Sequence, residues 1–413
     1  MSTLKVDAIR HNSATSDAIT THSDGTCTAK ITGMTGGGGL SHRNLIVNGA
    51  MDVAQRGQVT GLGHASGGAG GGFGGPDRFA FYSNYSIVTM SQSTDVPSGQ
   101  GFSKSLKLDV TTAGGDSNAD TYTQIDYRFE GQELTRLKYG TSDAETTTIS
   151  FWIKSPKAGT HWVRLYGDEL SHSGGGAAFI SRKYTVSSAN TWQKVTLSFP
   201  GFTTDGFNND NTLGMRISIY FAQGSAYSSG TAQADDGGWL NWGDVNDRAR
   251  NTVGQVNCFD STSNDIFITG LQFEVGDTAT SFEHRSLGDE LARCQRYCVQ
   301  YNSNNANRDY IMPAKVSDGD DAYTAWQTPV ATRTTYPTIS VSNASHLCIA
   351  YGDGHTNSPV NFSSRDNTAA NPYSSINFLN FDLNSSVLTA GDMVFLAFSN
   401  NTSGGYIRFE WEL

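Results

Sequence analysis

Charged residues are scarce in this sequence, and long apolar runs are missing from it. Asp, Glu, Lys and Arg make up 16% of the 413 residues, against about 25% in an average globular domain. The formal net charge is −11 and Lys and Arg form no run, so a nucleic-acid backbone would be repelled and we expect no nucleic-acid partner. No apolar run approaches the roughly 20 residues of a membrane helix, which predicts no membrane insertion.

Cysteines are also few. The five are Cys27, Cys258, Cys294, Cys298 and Cys348, a small odd set unlike a disulfide framework. On a helix, the Cβ atoms of Cys294 and Cys298 would lie about 5–6 Å apart, whereas a disulfide needs about 3.5–4.5 Å. Residues 1–13 lack the apolar core of a secretory signal. These features predict a protein made in a reducing cytoplasm, with any release by another route such as cell lysis.

Motifs for catalysis are missing as well. The sequence contains no GxSxG or HExxH motif, and no cysteine is matched with a histidine as a nucleophile. A carboxylate pair of the kind that glycoside hydrolases use could arise among 39 acidic residues, but no spacing singles one out. No fixed-period repeat indicates a β-helix either. We therefore expect no enzymatic activity and no cofactor.

Two Asp- and Asn-rich clusters are the candidates for a metal. GDSNAD (115–120) and DGFNNDN (205–211) could hold calcium, which prefers carboxylate, amide and carbonyl oxygens. Neither cluster fits an EF-hand loop, and both favour Asx turns. A glycine tract at 67–75 lacks the lysine and the strand-to-helix context of a phosphate loop. We expect no metal site.

Alternating strands are what the sequence contains in abundance. Six segments place apolar residues at every second position: SLKLDV (105–110), TQIDYRFE (123–130), TISFWIK (148–154), KVTLSF (194–199), MRISIYF (215–221) and LQFEV (271–275). One face of each strand is thus expected to be buried and the other to be exposed to solvent, as in antiparallel sandwiches and jelly rolls. The pattern predicts a mainly β protein, with a large antiparallel β-sandwich over 43–285 and a smaller C-terminal β-domain over 302–413.

Residues 1–42 have few apolar side chains and end in a glycine-rich joint. Leu4, Val6 and Ile9 are too few to form a core, and GGGG at 36–39 is typical of a flexible connection. We expect this segment to remain extended or to fold by docking onto another protein. A disordered tail is the alternative.

One helix is predicted over 286–301, between the two β-domains. Ser286 followed by Asp289 indicates a capped N-terminus. The apolar positions follow a 4, 3, 4, 3 spacing, at Leu287, Leu291, Cys294, Cys298 and Tyr301. Such a narrow seam suits packing against symmetry mates in a parallel oligomer, although the helix could instead cap its own sandwich. A metal site at Cys294 and Cys298 is disfavoured because no CxxC or histidine pair completes it.

These segments carry a family resemblance. The succession NLIVNGAMDVAQRG, DRFAF, TTISFWIKSPKAGTH, TWQKVTLSFPG and ITGLQFEVGDTATSFEHRS, followed by an ELxxCQRY-type helix (GDELARCQRYCVQY), resembles tail fibre proteins of bacteriophages and prophages. In that family a carbohydrate-binding-module-like sandwich leads through a short helix to a C-terminal β-domain. The opening STLKVDAI is similar to the N-terminal attachment segments of marine phage fibres. The resemblance covers about 43–301, and no specific receptor-binding fold is recognised in the distal domain.

The resemblance implies a homotrimeric virion appendage that is made in the host cytoplasm. Its N-terminus, through Leu4, Val6 and Ile9, would attach to tail adaptor or nozzle proteins, and its β-domains would bind a bacterial surface polysaccharide or another receptor. The alternatives are a glycan-degrading tailspike, a head or collar fibre or decoration protein, and a lone lectin.

Aromatic residues beside amides and carboxylates are the candidates for sugar binding. Trp239, Asn241, Trp242 and Asp244 lie close together in one predicted loop, and Tyr323 and Trp326 lie in the distal domain. A sugar site needs exposed rings with hydrogen-bonding groups beside them. The alternative is that these tryptophans wedge between loops or subunits.

Overall fold

The larger part of the chain is described by a computed structural model. It covers residues 6–10, 19–23, 27–29, 42–68, 70–114, 118–303, 309–316, 321–334, 337–343, 346–351, 354–356, 360–363, 376–383, 389–398 and 404–413. Side chains are described for all of these except 27–29, 321–327, 351, 354–356, 360–363 and 376–383. Over this part of the chain, no helix has both the length and the apolar character needed to cross a membrane.

The protein is mainly β, as the sequence predicts, and its strands are numbered in chain order. Three short strands come first: β1 (Ala8–Ile9), β2 (Ile19–Thr21) and β3 (Cys27–Ala29). Those of the larger domain are β4 (Val59–His64), β5 (Gly71–Phe73), β6 (Phe79–Ser83), β7 (Ser86–Ser93), β8 (Ser105–Thr112), β9 (Tyr122–Glu130), β10 (Thr147–Lys154), β11 (Gly159–Ser171), β12 (Ala177–Val186), β13 (Gln193–Phe199), β14 (Leu213–Gln223), β15 (Leu240–Asn241) and β16 (Asp265–Val275).

The C-terminal domain contains β17 (Cys298–Asn302), β18 (Tyr310–Val316), β19 (Asp321–Gln327), β20 (Thr338–Val341), β21 (Leu347–Tyr351), β22 (Gly354–Thr356), β23 (Val360–Ser363), β24 (Ile376–Leu383), β25 (Met393–Phe398) and β26 (Tyr406–Glu410). The α-helices are short: α1 (Gly131–Leu134), α2 (Ser225–Ser228), α3 (Val245–Ala249) and α4 (Leu287–Gln295).

The larger domain is an antiparallel β-sandwich. One sheet has six strands in the order β13-β10-β16-β8-β7-β4, and the other has seven in the order β15-β12-β11-β14-β9-β6-β5. The core between the sheets takes its side chains from alternate strand positions, such as Ile125, Tyr127 and Phe129 of β9. Because side chains alternate along a strand, the residues between them point away from this core. The outward face of the seven-stranded sheet is where the candidate site lies.

The C-terminal domain is also antiparallel and is joined to the sandwich by charged side chains. Its sheets have the orders β17-β26-β20 and β22-β21-β25-β18-β19-β24-β23. Arg56 of the sandwich, whose side chain is fully buried, donates from Nε to Glu410 at 2.9 Å and from Nη2 to Glu412 at 3.0 Å. Arg78, equally buried, also pairs with Glu412. These ion pairs fix the chain after β26 against the sandwich.

The predicted helix over 286–301 is wrong at its C-terminal end. Helix α4 begins with Ser286 as its N-cap, whose Oγ accepts a hydrogen bond from Asp289 N at 3.2 Å, as the capping pattern predicts. The helix ends at Gln295, and β17 then pairs with β26. Local helical spacing is overridden here because pairing along β26 satisfies the backbone and buries side chains on the C-terminal core.

Four of the five residues predicted to form an interchain seam pack within their own chain. Cys294 is fully buried within one chain, in a cluster with Val47 and Val53, and Leu291 packs against that cluster. Cys298 is fully buried in β17, and Tyr301 packs on the C-terminal core. Leu287 remains 62% exposed. The helix therefore caps its own sandwich, with Glu290 accepting a hydrogen bond from Asn48 N at 2.7 Å.

Part of the segment predicted to be extended is instead paired. β1, β2 and β3 form a small three-stranded antiparallel sheet. Val6 and Ile9 are 40% and 54% exposed, and Leu4 lies outside the described residues. Ala8 pairs with Thr20 and Ile9 with Ile19, so backbone pairing joins β1 to β2.

Candidate functional site

Polar and aromatic side chains form rows across the outward face of the seven-stranded sheet. The strand register places Asp126 of β9 beside Ser218 of β14, and Ser218 beside Arg164 of β11. Residues directly opposite each other on antiparallel strands have Cβ atoms about 4.5–5.5 Å apart. The next row contains Arg128, Arg216 and Tyr166, and the row on the other side contains Tyr82, Gln124 and Tyr220.

The segment 224–256 forms a wall beside these rows. Tyr227 of α2 and Trp242, which follows β15, stack with ring centroids 5.9 Å apart and planes inclined by 10°. Trp242 also meets Tyr166 and Phe179 edge-on, at 5.5 and 5.2 Å. Its backbone N–H donates to Ala177 O at 2.9 Å, which ties the wall to β12. The ring of Trp242 is therefore held in one place by contacts on several sides.

Together the rows and the wall enclose a cleft of about 430 Å³, within the range of small-ligand sites, roughly 300–1,000 Å³. Six of its lining side chains are aromatic: Tyr82, Tyr122, Tyr166, Tyr220, Tyr227 and Trp242. The other six carry charges or amides: Gln124, Asp126, Arg128, Arg164, Arg216 and Gln223. Burial raises the pKa of the Tyr82, Tyr166 and Tyr227 phenols, so their hydroxyls stay protonated at neutral pH.

Most charges in and around the cleft are paired within the protein. Arg216 holds Asp168 with two hydrogen bonds, of 3.0 Å from Nε and 2.7 Å from Nη2. Burial raises the pKa of Asp168, and the charge and hydrogen bonds of Arg216 act in the opposite direction. Asp126 accepts hydrogen bonds from Gln124 and Ser218, both at 2.8 Å. These contacts hold the two carboxylates in fixed orientations.

The arginines of the cleft also lie against its rings. Arg128 donates to the Tyr82 hydroxyl at 2.7 Å and to the backbone oxygen of Leu413. The guanidinium carbon of Arg164 lies 4.7 Å from the ring centroid of Trp242 and 5.0 Å from that of Tyr166. Such cation–π contacts fix the guanidinium planes beside the ring surfaces.

Of the residues predicted to bind sugar, the structure places Trp242 in the cleft. Trp239, three residues earlier, packs against Tyr139 and Phe202 at the edge of the core, and its indole N–H donates to Pro200 O at 2.9 Å. Trp239 does not line the cleft, and its ring wedges between loops, which is the alternative that the sequence left open.

The other predicted sugar-binding residues have local structural roles or lie where side chains are not described. Asn241 Oδ1 accepts a hydrogen bond from Gly243 N at 2.8 Å, and Asp244 caps α3 by accepting from Asn246 N, also at 2.8 Å. Neither of these two lines the cleft. Tyr323 and Trp326 lie in β19 of the C-terminal domain, and their side chains are outside the described part of the structure.

The sequence analysis did not identify most of the residues that line the cleft, although the composition of three strands indicates them. On β9, β11 and β14 most positions between the core residues carry Gln, Asp, Arg or Tyr, with Ser218 as an exception, whereas Ser, Thr and Lys are typical of a solvated sheet face. The signal is visible in each strand separately. Only the strand register shows that the three sets adjoin.

A second, smaller pocket of about 310 Å³ lies on the six-stranded sheet. Trp152 lines it beside Phe102, whose ring centroid lies 5.0 Å from that of Phe282 and 5.4 Å from that of His284. Of the described residues that line this pocket, Lys194 carries the one charged side chain. It offers fewer polar groups than the larger cleft.

The described part of the chain contains no group of three or more His, Cys, Asp or Glu side chains that could hold a metal ion. In the 205–211 cluster, Asp210 Oδ1 accepts from Thr212 N at 2.9 Å, which confirms an Asx turn there. In the 115–120 cluster, residues 115–117 lie outside the described residues. Cys258, Cys294 and Cys298 are buried as thiols in the structure.

Comparison with protein-family models finds no match for this chain, and no curated protein is similar to it in sequence. Several solved structures resemble it. The enzymatically active domain of bacteriophage CBA120 tailspike protein 4 is 13% identical, with a TM-score of 0.26 over 56% of this chain and 21% of that chain.

Two carbohydrate-binding modules are matched over most of their length. A family 11 module of a Clostridium thermocellum cellulosomal cellulase is 17% identical, with a TM-score of 0.24 over 51% of this chain and 91% of that chain. The xylan-binding CBM22-1 domain from Paenibacillus barcinonensis is 10% identical, with a TM-score of 0.25 over 57% and 96%. At such low TM-scores these likenesses carry no argument about function, which must come from the cleft itself.

Proposed function

We propose that this protein binds carbohydrate chains in the cleft on its seven-stranded sheet, and that it does so as a phage tail fibre protein. The observation that supports binding is the combination of six aromatic rings with six charged or amide side chains in one cleft. A pyranose ring has apolar C–H faces that stack on aromatic surfaces and a rim of hydroxyls that need donors and acceptors. The cleft supplies groups of both kinds.

Trp242 provides the main aromatic contact in this proposal. Its ring lies between Tyr227 and Arg164 and also contacts Tyr166 and Phe179, so little side-chain entropy is lost when a sugar packs against its accessible part. The neighbouring row of Asp126, Ser218 and Arg164 would bind hydroxyl groups. We propose binding without catalysis, because the carboxylates Asp126 and Asp168 are both engaged in hydrogen bonds within the protein.

The tail-fibre role is supported by the sequence resemblance over 43–301 and by the exposure of Val6 and Ile9 near the N-terminus. We propose that this N-terminal part attaches to a tail protein and that the fibre is a trimer on the virion. Helix α4 does not supply the trimer contacts in this proposal, because Cys294 and Cys298 are buried within their own chain. Weak sites on a trimer would add up to firm attachment to a repetitive surface polysaccharide.

Binding of purified chain to a panel of bacterial surface polysaccharides, measured by affinity electrophoresis and titration calorimetry, tests the cleft. We expect Trp242→Ala to weaken binding about tenfold or more, since a stacked aromatic ring contributes on the order of 1–3 kcal/mol. Trp152→Ala, in the smaller pocket on the other sheet, is the matched control and should bind as the wild type does. If Trp152→Ala weakened binding and Trp242→Ala did not, the sugar would bind in the smaller pocket, which would contradict the proposal.

Two further measurements test the trimer and the proposal that binding occurs without catalysis. Light scattering should give a mass near three times 44.3 kDa, and a stable monomer would contradict an intrinsic trimer. Polysaccharide incubated with the protein should release no new reducing or unsaturated sugar ends. Their release in proportion to enzyme concentration would favour the glycan-degrading alternative.

A further inference from the structure

Arg164 differs from Arg216 in how its charge is balanced. Arg216 is held by Asp168 in a two-point ion pair. Arg164 is only 5% exposed, yet among the described residues no carboxylate lies within ion-pair distance of it. Within the described part of the chain, its guanidinium makes one hydrogen bond, from Nη2 to Ser218 Oγ at 3.3 Å, and its buried Nε has no hydrogen-bond acceptor.

Aromatic rings surround the Arg164 guanidinium but accept no hydrogen bonds from its in-plane N–H groups. Its central carbon lies 5.0, 5.2 and 4.7 Å from the ring centroids of Tyr166, Tyr220 and Trp242. Ring faces attract a cation, but they accept no hydrogen bonds in the plane of the guanidinium, where its five N–H donors point. Asp126 lies beyond Ser218, and Asp168 interacts with Arg164 without direct contact, so part of the desolvation penalty of this buried cation remains. An anion in direct contact with the guanidinium would lower that penalty.

We propose that the cleft selects anionic polysaccharides, and that Arg164 binds a carboxylate or sulfate group of a sugar unit held in the cleft beside Trp242. This inference rests on the proposed function and names the chemical class of its ligand. The formal net charge of the chain is −11, so its long-range field repels a polyanion. Selection must therefore come from short-range contact inside the cleft, where one charge-assisted hydrogen bond raises the affinity about tenfold or more.

The test compares each anionic polysaccharide with a neutral form of the same polymer. Alginate, polygalacturonate and hyaluronan supply carboxylates, and their carboxyl-reduced forms are neutral. Dextran sulfate against dextran supplies the sulfate comparison, and poly-glutamate is an anionic polymer without sugar rings. We expect at least one anionic polysaccharide to bind about tenfold or more tightly than its neutral form, and poly-glutamate not to bind. The preferred series shows whether carboxylate or sulfate is the recognised group.

Variants of Arg164 assign the preference to this residue. Arg164→Gln should reduce the anionic-to-neutral ratio to about one, and Arg164→Lys should retain part of it because the charge remains. Lys107→Gln removes a positive charge from the other sheet, where Lys107 pairs with Asp265 at 2.9 Å, and should leave the ratio unchanged. Circular dichroism checks that each variant is folded, and an unfolded Arg164→Gln leaves Arg164→Lys to carry the test.

The outcomes separate this inference from the proposed function. Equal binding of anionic and neutral forms, or a ratio that Arg164→Gln leaves unchanged, overturns the anion selection while carbohydrate binding stands. Tight binding of poly-glutamate also overturns it, because the sugar would then contribute nothing. Failure of every polysaccharide to bind, in these series and in the surface panel, contradicts both proposals.

Discussion

The guanidinium carbon of Arg164 lies 4.7 Å from the ring centroid of Trp242, so the most buried cation of the cleft and the aromatic ring of its wall form one unit. Tyr227 supports the other side of that ring, stacked at 5.9 Å. The wall is short and irregular, and the position of Trp242 depends on these neighbours. Because Tyr227 both supports Trp242 and lines the cleft, changes to Tyr227 should affect binding.

We expect Tyr227→Ala to weaken polysaccharide binding by about two- to tenfold, because aromatic pairs contribute about 0.5–1.5 kcal/mol beyond buried area. Tyr227→Phe keeps the stack and should bind as the wild type does. Titration calorimetry with the same polysaccharide measures both variants. If Tyr227→Phe is as weak as Tyr227→Ala, the phenol hydroxyl matters rather than the stack.

Glu412 lies between two fully buried arginines, Arg56 and Arg78. We expect Glu412→Gln to lower the free energy of unfolding by about 3–5 kcal/mol, since removing one partner leaves buried charges uncompensated. Calorimetry should show the C-terminal domain melting apart from the sandwich. The matched control is Asp265→Asn at the half-exposed pair with Lys107, where we expect a loss below about 1 kcal/mol. Equal effects at the two sites would mean that the buried pairs do not hold the domains together.

His161 is fully buried and stacks on Tyr184, with ring centroids 5.4 Å apart. Burial lowers its pKa from 6.5 to about 4, so between these values the unfolded chain binds a proton that the folded chain does not. The contribution of neutral His161 to the free energy of unfolding is fully present above pH 6.5. It decreases by about 3 kcal/mol in total as the pH falls to about 4.

We therefore expect His161→Phe, which retains an aromatic ring, to lose less stability than the wild type does between pH 6.5 and 4. Urea unfolding at a series of pH values measures this, and the difference between the two curves removes the shared contribution of the carboxylates. Parallel curves would show that His161 accepts a proton in the folded state.

Helix α4 offers a clean distinction between packing within the chain and contact between chains. Leu291 packs against the Cys294 cluster, so Leu291→Asp should destabilise the monomer fold and lower the melting temperature. Leu287 is 62% exposed, and Leu287→Asp should leave the melting temperature of a monomer unchanged. If light scattering shows that Leu287→Asp dissociates an oligomer, the exposed turn of α4 contributes to the contact between chains.

The strands of the sandwich could be predicted from the sequence because burial of one face enforces a period of two. Ile125, Tyr127 and Phe129 alternate with polar residues, and the structure buries all three in the core. The N-cap of α4 was equally predictable, because Ser286 and Asp289 satisfy a helix end with groups only three residues apart. The strand alternation and the N-cap both depend on residues that are close together in the sequence.

The end of α4 and the position of each tryptophan could not be predicted in this way. Residues 296–301 continue a helical spacing, yet β17 forms because β26, more than a hundred residues later, supplies its backbone partners. Trp239 and Trp242 share one loop, and only the packing of that loop decides that the first lies against Phe202 and the second over the cleft.

The sequence by itself determined the mainly β class, the two β-domains and the outward polar positions of each strand, because these follow from local alternation between apolar and polar residues. The tertiary structure alone decided that Asp126, Ser218 and Arg164 form one row, since strands from distant parts of the chain meet in one register. It also decided that Arg164 is buried without a carboxylate among the described residues. Charge balance inside a cleft depends on spatial neighbours, which a linear pattern does not specify.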